Sequence, residues 1–245
     1  MPATVDVLGQ KRILIVASNP TVSENIGERA GFWWAEVTHS YWEFVSEGYD
    51  AVIASPDGGA LEADSWSDPR DESRLMAEDI LTLGFINSPE HAALVQKTPA
   101  LSDVSLDDFN AIFLAGGQGP MYTFVSDKRV HELVASCYEQ GKITAVVCHA
   151  TCVLLKVRLS SGDMLVKGKT WTGFANSEED YADRFFGREI QPFRIENEAM
   201  NLADTNFIVQ GRFRPHAVRD GLLITGQQQY SAAAAARLVI DALGR

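Results

Sequence analysis

An α/β fold built on a doubly wound, mostly parallel sheet is the class that this 245-residue sequence predicts, and three observations carry it. Short apolar runs recur along the chain, helical patterns separate most of them, and small or glycine-rich segments follow the runs. Continuous apolar strands alternating with helices imply parallel strands covered on both faces. Glycine-rich turns after such strands belong at the carboxyl edge of the sheet, where open α/β folds bind ligands.

The elements follow in order. R-I-L-I-V-A at residues 12–17 reads as the first strand, and residues 28–47 read as a helix whose apolar surface comes mostly from Phe32, Trp33, Val37, Tyr41, Trp42 and Phe44. A-V-I-A at 51–54 is a second strand. Residues 56–109, rich in Asp, Ser and Pro, interrupt the pattern; 72–83 can be helical, and the whole reads as an insertion capping a single domain of residues 1–245 rather than as a second core. A-I-F-L-A at 111–115 is a third strand, residues 127–140 form a helix opened by Asp127 and closed before Gly141, and I-T-A-V-V at 143–147 is a fourth strand. An Asp220-Gly221 turn within residues 216–226 signals a hairpin, and a helix over 232–243 closes the chain. Its five alanines, 232–236, read as a helix-forming surface.

The formal net charge of −12 disfavours phosphate backbones and anionic membranes, so neither nucleic acid nor membrane is expected as a partner. Three cysteines make no disulfide framework and point to a reducing, cytoplasmic compartment. Residues 1–12 lack the charged-then-apolar order of a signal peptide. The apolar run between Lys142 and Lys156 is shorter than the roughly 20 residues that span a bilayer, so no transmembrane segment is expected.

The chemistry concentrates at Cys148. It lies between the fourth strand and the small-residue segment Ala150-Thr151-Cys152-Val153, with His149 directly after it, which is the shape of a nucleophile elbow. A helix N-terminus and an adjacent imidazole are the usual means of activating a thiol whose free pKa is about 8.5. Val146 stands where the strict elbow has glycine, and the plainer reading is a small buried hydrophobe, the role assigned to Cys137 and Cys152. Gly116-Gly117-Gln118-Gly119 and Ser55-Pro56-Asp57-Gly58-Gly59 follow the third and second strands, so backbone N–H groups could approach a substrate oxyanion there. Glu36 shares a helical face with Phe32 and Trp33: it either turns outward or, if buried, is hydrogen-bonded or protonated and can serve as a general acid or base. The run Glu178-Glu179-Asp180 reads as a solvated face that could deliver one carboxylate to orient His149. Cys148-His149-x-x-Cys152 has no second Cys/His pair to complete a tetrahedral set, and His39 and His131 have no partner of suitable spacing, so no metal is expected.

Taken together, these motifs resemble the ThiJ/PfpI superfamily, with its class I glutamine amidotransferase-like, flavodoxin-like fold, and are nearest its heat-shock-chaperone and glyoxalase III branch. The resemblance rests on the first strand, G-x-x-x-x-E from Gly31 to Glu36, the S-P-x-G-G-x-x-x-x-D-x-x-S stretch from Ser55 through Asp64 to Ser67, Gly116-Gly117-Gln118-Gly119 against G-G-H-G, Cys148-His149-Ala150, Gly168-Lys169 through Thr172-Gly173-Phe174 to Glu179, and the closing hairpin from Pro215-His216 to Gln227. Gln118 replaces a common His, Ser40 a common Pro, and Gln228-Gln229 a common Asn-Pro.

The resemblance implies a cofactor-independent, glutathione-independent lyase converting methylglyoxal or a related 2-oxoaldehyde to a 2-hydroxy acid such as D-lactate. Cys148 would be the nucleophile, His149 the proton shuttle, Glu179 its orienting carboxylate and Glu36 the group that contacts the sulfur. Gly116, Gly117 and Gln118 would line the oxyanion and substrate site, and a homodimer is expected. Two other readings stay open: an amidase, peptidase or isonitrile-hydratase-like hydrolase using the same cysteine, and a non-enzymatic stress-response chaperone or cysteine redox sensor.

Overall fold

A computed structural model describes residues 10–244, so most of the N-terminal segment read above for a signal peptide lies outside the described residues. Six strands form the central sheet: β1 (Arg12–Val16), β2 (Asp50–Ala54), β3 (Ala111–Leu114), β4 (Ile143–Val147), β5 (Ala217–Asp220) and β6 (Leu223–Gly226). Their spatial order is β2-β1-β3-β4-β6-β5, parallel throughout except for the β5–β6 hairpin. The inner strands are buried along both faces: Ile13 to Val16 and Ala111 to Leu114 are wholly shielded from solvent. That is why they read as unbroken apolar runs instead of alternating ones.

The helices are α1 (Trp34–Ser46), α2 (Ile80–Asn87), α3 (Pro89–Gln96), α4 (Lys128–Glu139), α5 (Asn176–Phe186), α6 (Ile195–Met200) and α7 (Ala232–Leu243). Asp127 caps α4 by accepting from Arg129 N–H, and Gly141 beyond its end has φ +74°, the left-handed conformation that ends helices.

Three expectations need correction. The first helix begins at Trp34, not residue 28, because the preceding segment is held extended by long-range partners: Arg29–Ala30 pairs with Thr21–Val22, Phe32 bridges Ala63, and Trp33 N–H donates to Gly116 O at 3.0 Å. These backbone bonds outweigh the 3.6-residue apolar period that suggested a longer helix. Ser40 consequently sits inside α1, its hydroxyl donating to Glu36 O at 2.6 Å. Within the 56–109 segment, residues 72–79 form turns, and the helix starts only where Asp79 accepts from Thr82 N–H. The alanine run is not a surface: Ala232, Ala235 and Ala236 are buried, and α7 packs on α1, β4 and β6, where small side chains allow close approach.

Leu61, Phe85, Val95 and Phe109, all from the 56–109 segment, join the same hydrophobic cluster as the sheet. His39 pairs with Asp79 at 2.9 Å, and His131 bonds Phe124 O. Among the described residues no helix is long and apolar enough to cross a membrane.

Candidate active site

β4 runs into Cys148, whose φ of +56° places a non-glycine residue in the left-handed region. Such a conformation costs about 1–3 kcal/mol unless the surroundings hold it, and it gives the strained corner that a nucleophile elbow requires. A tight 3₁₀ run, Cys148–Leu155, follows in place of the α-helix the sequence suggested. Gly116 makes the corner possible, since a Cβ at 116 would fall 2.8 Å from Cys148 Cβ and 2.9 Å from His149 N. Gly116→Ala is therefore expected to displace the elbow, lowering the melting temperature by several degrees and slowing alkylation of Cys148 by iodoacetamide about tenfold or more. An unchanged alkylation rate and melting curve would refute this reading of Gly116.

Glu36 occupies the first turn of α1 and is fully buried, so its outward alternative is not realised. Its Oε2 accepts from Gly116 N–H at 2.6 Å, and the carboxyl also meets the Cys148 thiol. Burial pushes its pKa up to about 7, against the opposing hydrogen bonds from Cys148 and Gly116. The thiol itself is 1% exposed, and burial followed by the negative charge of Glu36 pushes its pKa well above the ordinary range. The sequence had suggested a thiolate stabilised at a helix N-terminus; here the backbone N–H groups of His149 and Gly117 do face the sulfur, but burial and the carboxylate outweigh them. Cysteine and glutamate thus form a buried pair that ionises first at the carboxyl, near pH 7, with the sulfur still protonated.

His149 completes the arrangement. Its Nδ1 lies 3.7 Å from Cys148 Sγ, and its Nε2 lies 3.0 Å from Glu179 Oε1. An Nε2–H donated to the carboxylate leaves the Nδ1 lone pair facing the thiol. Phe174 stacks on the imidazole at 3.9 Å and 23°, fixing the ring plane. The acidic run divides its labour in the first turns of α5: Glu178 accepts from Ala175 N–H, Phe213 N–H and Gln227 Nε2, Glu179 turns to His149, and Asp180 pairs with Arg194. Only Asp180 keeps the solvated position expected of the run.

The glycine loop is more committed than its sequence suggested. The Gly116 N–H is taken by Glu36, so it is no free oxyanion donor. Gly117, at φ +110°, passes so close to Trp33 N and Gly31 O (2.5 and 2.6 Å from a notional Cβ) that only glycine fits. Gln118 reaches the cavity, its N–H donating to Asp64 Oδ2 at 2.6 Å and its side-chain oxygen accepting from Gln191 Nε2. Asp64, buried, also accepts from Gly31 N–H at 2.9 Å; burial pushes its pKa up to about 7. Its place in the S-P-x-G-G-x-x-x-x-D motif was the signal that could have marked it as a residue of the site.

Above Cys148 and His149 opens a cavity of about 280 Å³ walled by aromatic and aliphatic side chains, Trp33, Trp66, Phe186 and Phe213 among them. These residues come from four separate segments, and no local pattern announced them.

The DJ-1/PfpI family profile matches residues 29–242. A protein named probable glutathione-independent glyoxalase from Schizosaccharomyces pombe is 33% identical over 143 residues, which is 58% of this chain and 64% of that protein. Glyoxalase 3 of Candida albicans is 26% identical over 234 residues, covering 95% of this chain and 98% of the relative. The solved structure of the 24 kDa Rapid Encystment Protein of Francisella tularensis superposes with a TM-score of 0.85 at 24% identity, covering 96% of this chain and all of that one, a likeness of fold.

Proposed function

The chain belongs to the DJ-1/PfpI family, and from that premise we propose that it is a glutathione-independent glyoxalase III-like enzyme that converts methylglyoxal or a related 2-oxoaldehyde, with one water, to a 2-hydroxy acid. The observation that carries the reading is the linear array Cys148 Sγ, His149 Nδ1, His149 Nε2 and Glu179 Oε1, with steps of 3.7 and 3.0 Å, beneath an apolar cavity. The names of the S. pombe and C. albicans relatives agree with it.

In this mechanism the sulfur of Cys148 adds to the aldehyde carbon as its proton passes to the carboxylate of Glu36 or to His149, giving a hemithioacetal. His149 then takes the proton from that carbon and returns one to the neighbouring ketone carbon. The first carbon is oxidised to a thioester and the second reduced to a carbinol, so no external oxidant or reductant enters. Water attacks the thioester, breaks the C–S bond and releases the 2-hydroxy acid with the thiol restored. The N–H groups of Gly117 and His149, which face the sulfur, are placed to stabilise charge developing beside it.

The first test is methylglyoxal loss with matching lactate formation in buffer free of glutathione and containing a metal chelator. Lactate appearing no faster than in protein-free buffer would sink the proposal. Glu179→Gln is expected to cut kcat about 10- to 100-fold with KM little changed, because the imidazole loses its charged partner while the cavity keeps its shape. Steady-state kinetics checks this, and full activity in the variant would remove Glu179 from the array.

The redox-sensor alternative asks for an accessible thiol of lowered pKa, whereas Cys148 is buried with its pKa raised. A reducing, cytoplasmic setting belongs to the proposal, since the reaction needs the free thiol, and all three cysteines are unpaired.

A further inference from the structure

The cavity over Cys148 is far more apolar than a three-carbon aldehyde needs. Trp66 and Phe186 face each other with ring centroids 4.0 Å apart, and Phe185 meets Phe186 edge-on at 4.9 Å. Tyr181 and Phe213, which also line the cavity, form a second edge-on pair at 5.2 Å. No Asp, Glu, Lys or Arg is among the described residues that line the cavity, so nothing there matches a phosphate, a carboxylate or an ammonium group on a substrate. Trp33 also lines it.

Resting on the glyoxalase reading, we propose that the preferred substrate is a 2-oxoaldehyde carrying an aryl or comparably bulky apolar group on its ketone carbon. The ring lies against the Trp66–Phe186 wall, and the aldehyde carbon faces Cys148. A methyl substituent covers little of that wall and leaves the aromatic surface wet. Burying a ring instead recruits contacts remote from the reacting atoms, which is binding energy available to the transition state. The expected advantage in kcat/KM is about tenfold to a hundredfold.

The test compares initial rates on phenylglyoxal and methylglyoxal under one set of conditions, with mandelate and lactate measured as products. Phenylglyoxal is expected to show a kcat/KM at least about tenfold higher, and Trp66→Ala and Phe186→Ala each to shrink that ratio severalfold. A second readout is independent of turnover. Because Trp33 and Trp66 line the cavity, the neutral ligand mandelamide is expected to quench tryptophan fluorescence of Cys148→Ala protein at concentrations at least about tenfold below those at which lactamide does so. A kcat/KM for methylglyoxal equal to or above that for phenylglyoxal overturns the inference and leaves the glyoxalase reading standing. If neither aldehyde is turned over, the glyoxalase reading falls and the titration judges the cavity: mandelamide binding no tighter than lactamide overturns the aryl preference, and tighter binding upholds it.

Discussion

Replacement of Cys148 by serine is expected to lower kcat/KM for 2-oxoaldehydes about 1000-fold or more while leaving the melting temperature within a few degrees of the parent. The two effects separate because the site asks for sulfur chemistry while the fold asks only for a small side chain. Serine has a similar size and can take up the φ of +56° at no greater cost than cysteine. Its hydroxyl ionises far less readily than a thiol, however, and the environment already pushes the ionisation of residue 148 upward through burial and the charge of Glu36. Serine would also give an ester in place of a thioester, a poorer acyl donor to water. Kinetics and a thermal melt on the same preparation check the prediction. Activity within tenfold of the parent would show that the sulfur does not form the covalent intermediate.

The corner at Cys148 was legible in the sequence because it is local: a buried strand, one cysteine and a tight turn occupy adjacent positions. The strands were legible for the same reason, since each inner strand of a parallel sheet announces itself as an unbroken apolar run. Glu36 was half legible. Its spacing from Phe32 and Trp33 suggested a shared helical face, yet those two residues precede the helix and are held extended by Ala63 and Gly116, partners far along the chain. No periodicity encodes such contacts. The same holds for Gly116, which reads as an available backbone donor until the carboxylate from α1 is seen bonded to its N–H at 2.6 Å. Asp64 carried only a motif position, although it ties Gly31 to Gln118 across the floor of the site. The aromatic walls were the least visible. Trp66, Phe174, Phe186 and Phe213 meet only through tertiary folding, and each alone looks like an ordinary core or surface residue.

Glu36→Gln should give a protein that is more stable above neutrality and much slower. The side chains have the same shape: the amide oxygen can keep the 2.6 Å bond from Gly116 N–H while the NH₂ group faces the sulfur as a donor. Burial raises Glu36 from 4.5 to about 7, so the folded protein holds this proton more tightly than the unfolded chain does. Its contribution to stability is therefore complete below pH 4.5, declines as pH rises, and is lost once pH has passed about 7. That displacement corresponds to roughly 3 kcal/mol, a loss the glutamine variant does not suffer. Between pH 5 and pH 8.5 the melting temperature of the variant should thus gain on the parent by about 5–10 °C; Asp64, with its own raised pKa, is present in both proteins and cancels from the difference. Activity should move the other way. With the carboxyl titrating near 7 and the thiol well above its usual range, the pair gains its single negative charge as pH rises through about 7, and turnover needs that charge to carry the thiol proton away. The parent should accordingly lose activity as pH falls below about 7, whereas the variant should show kcat reduced about 100-fold and an acid limb that differs from the parent's, since only His149 is left to set it. Melting curves and kcat profiles across this range decide the matter. A variant whose acid limb coincides with the parent's, or one destabilised equally at both pH values, would show that Glu36 is not the group that titrates beside Cys148.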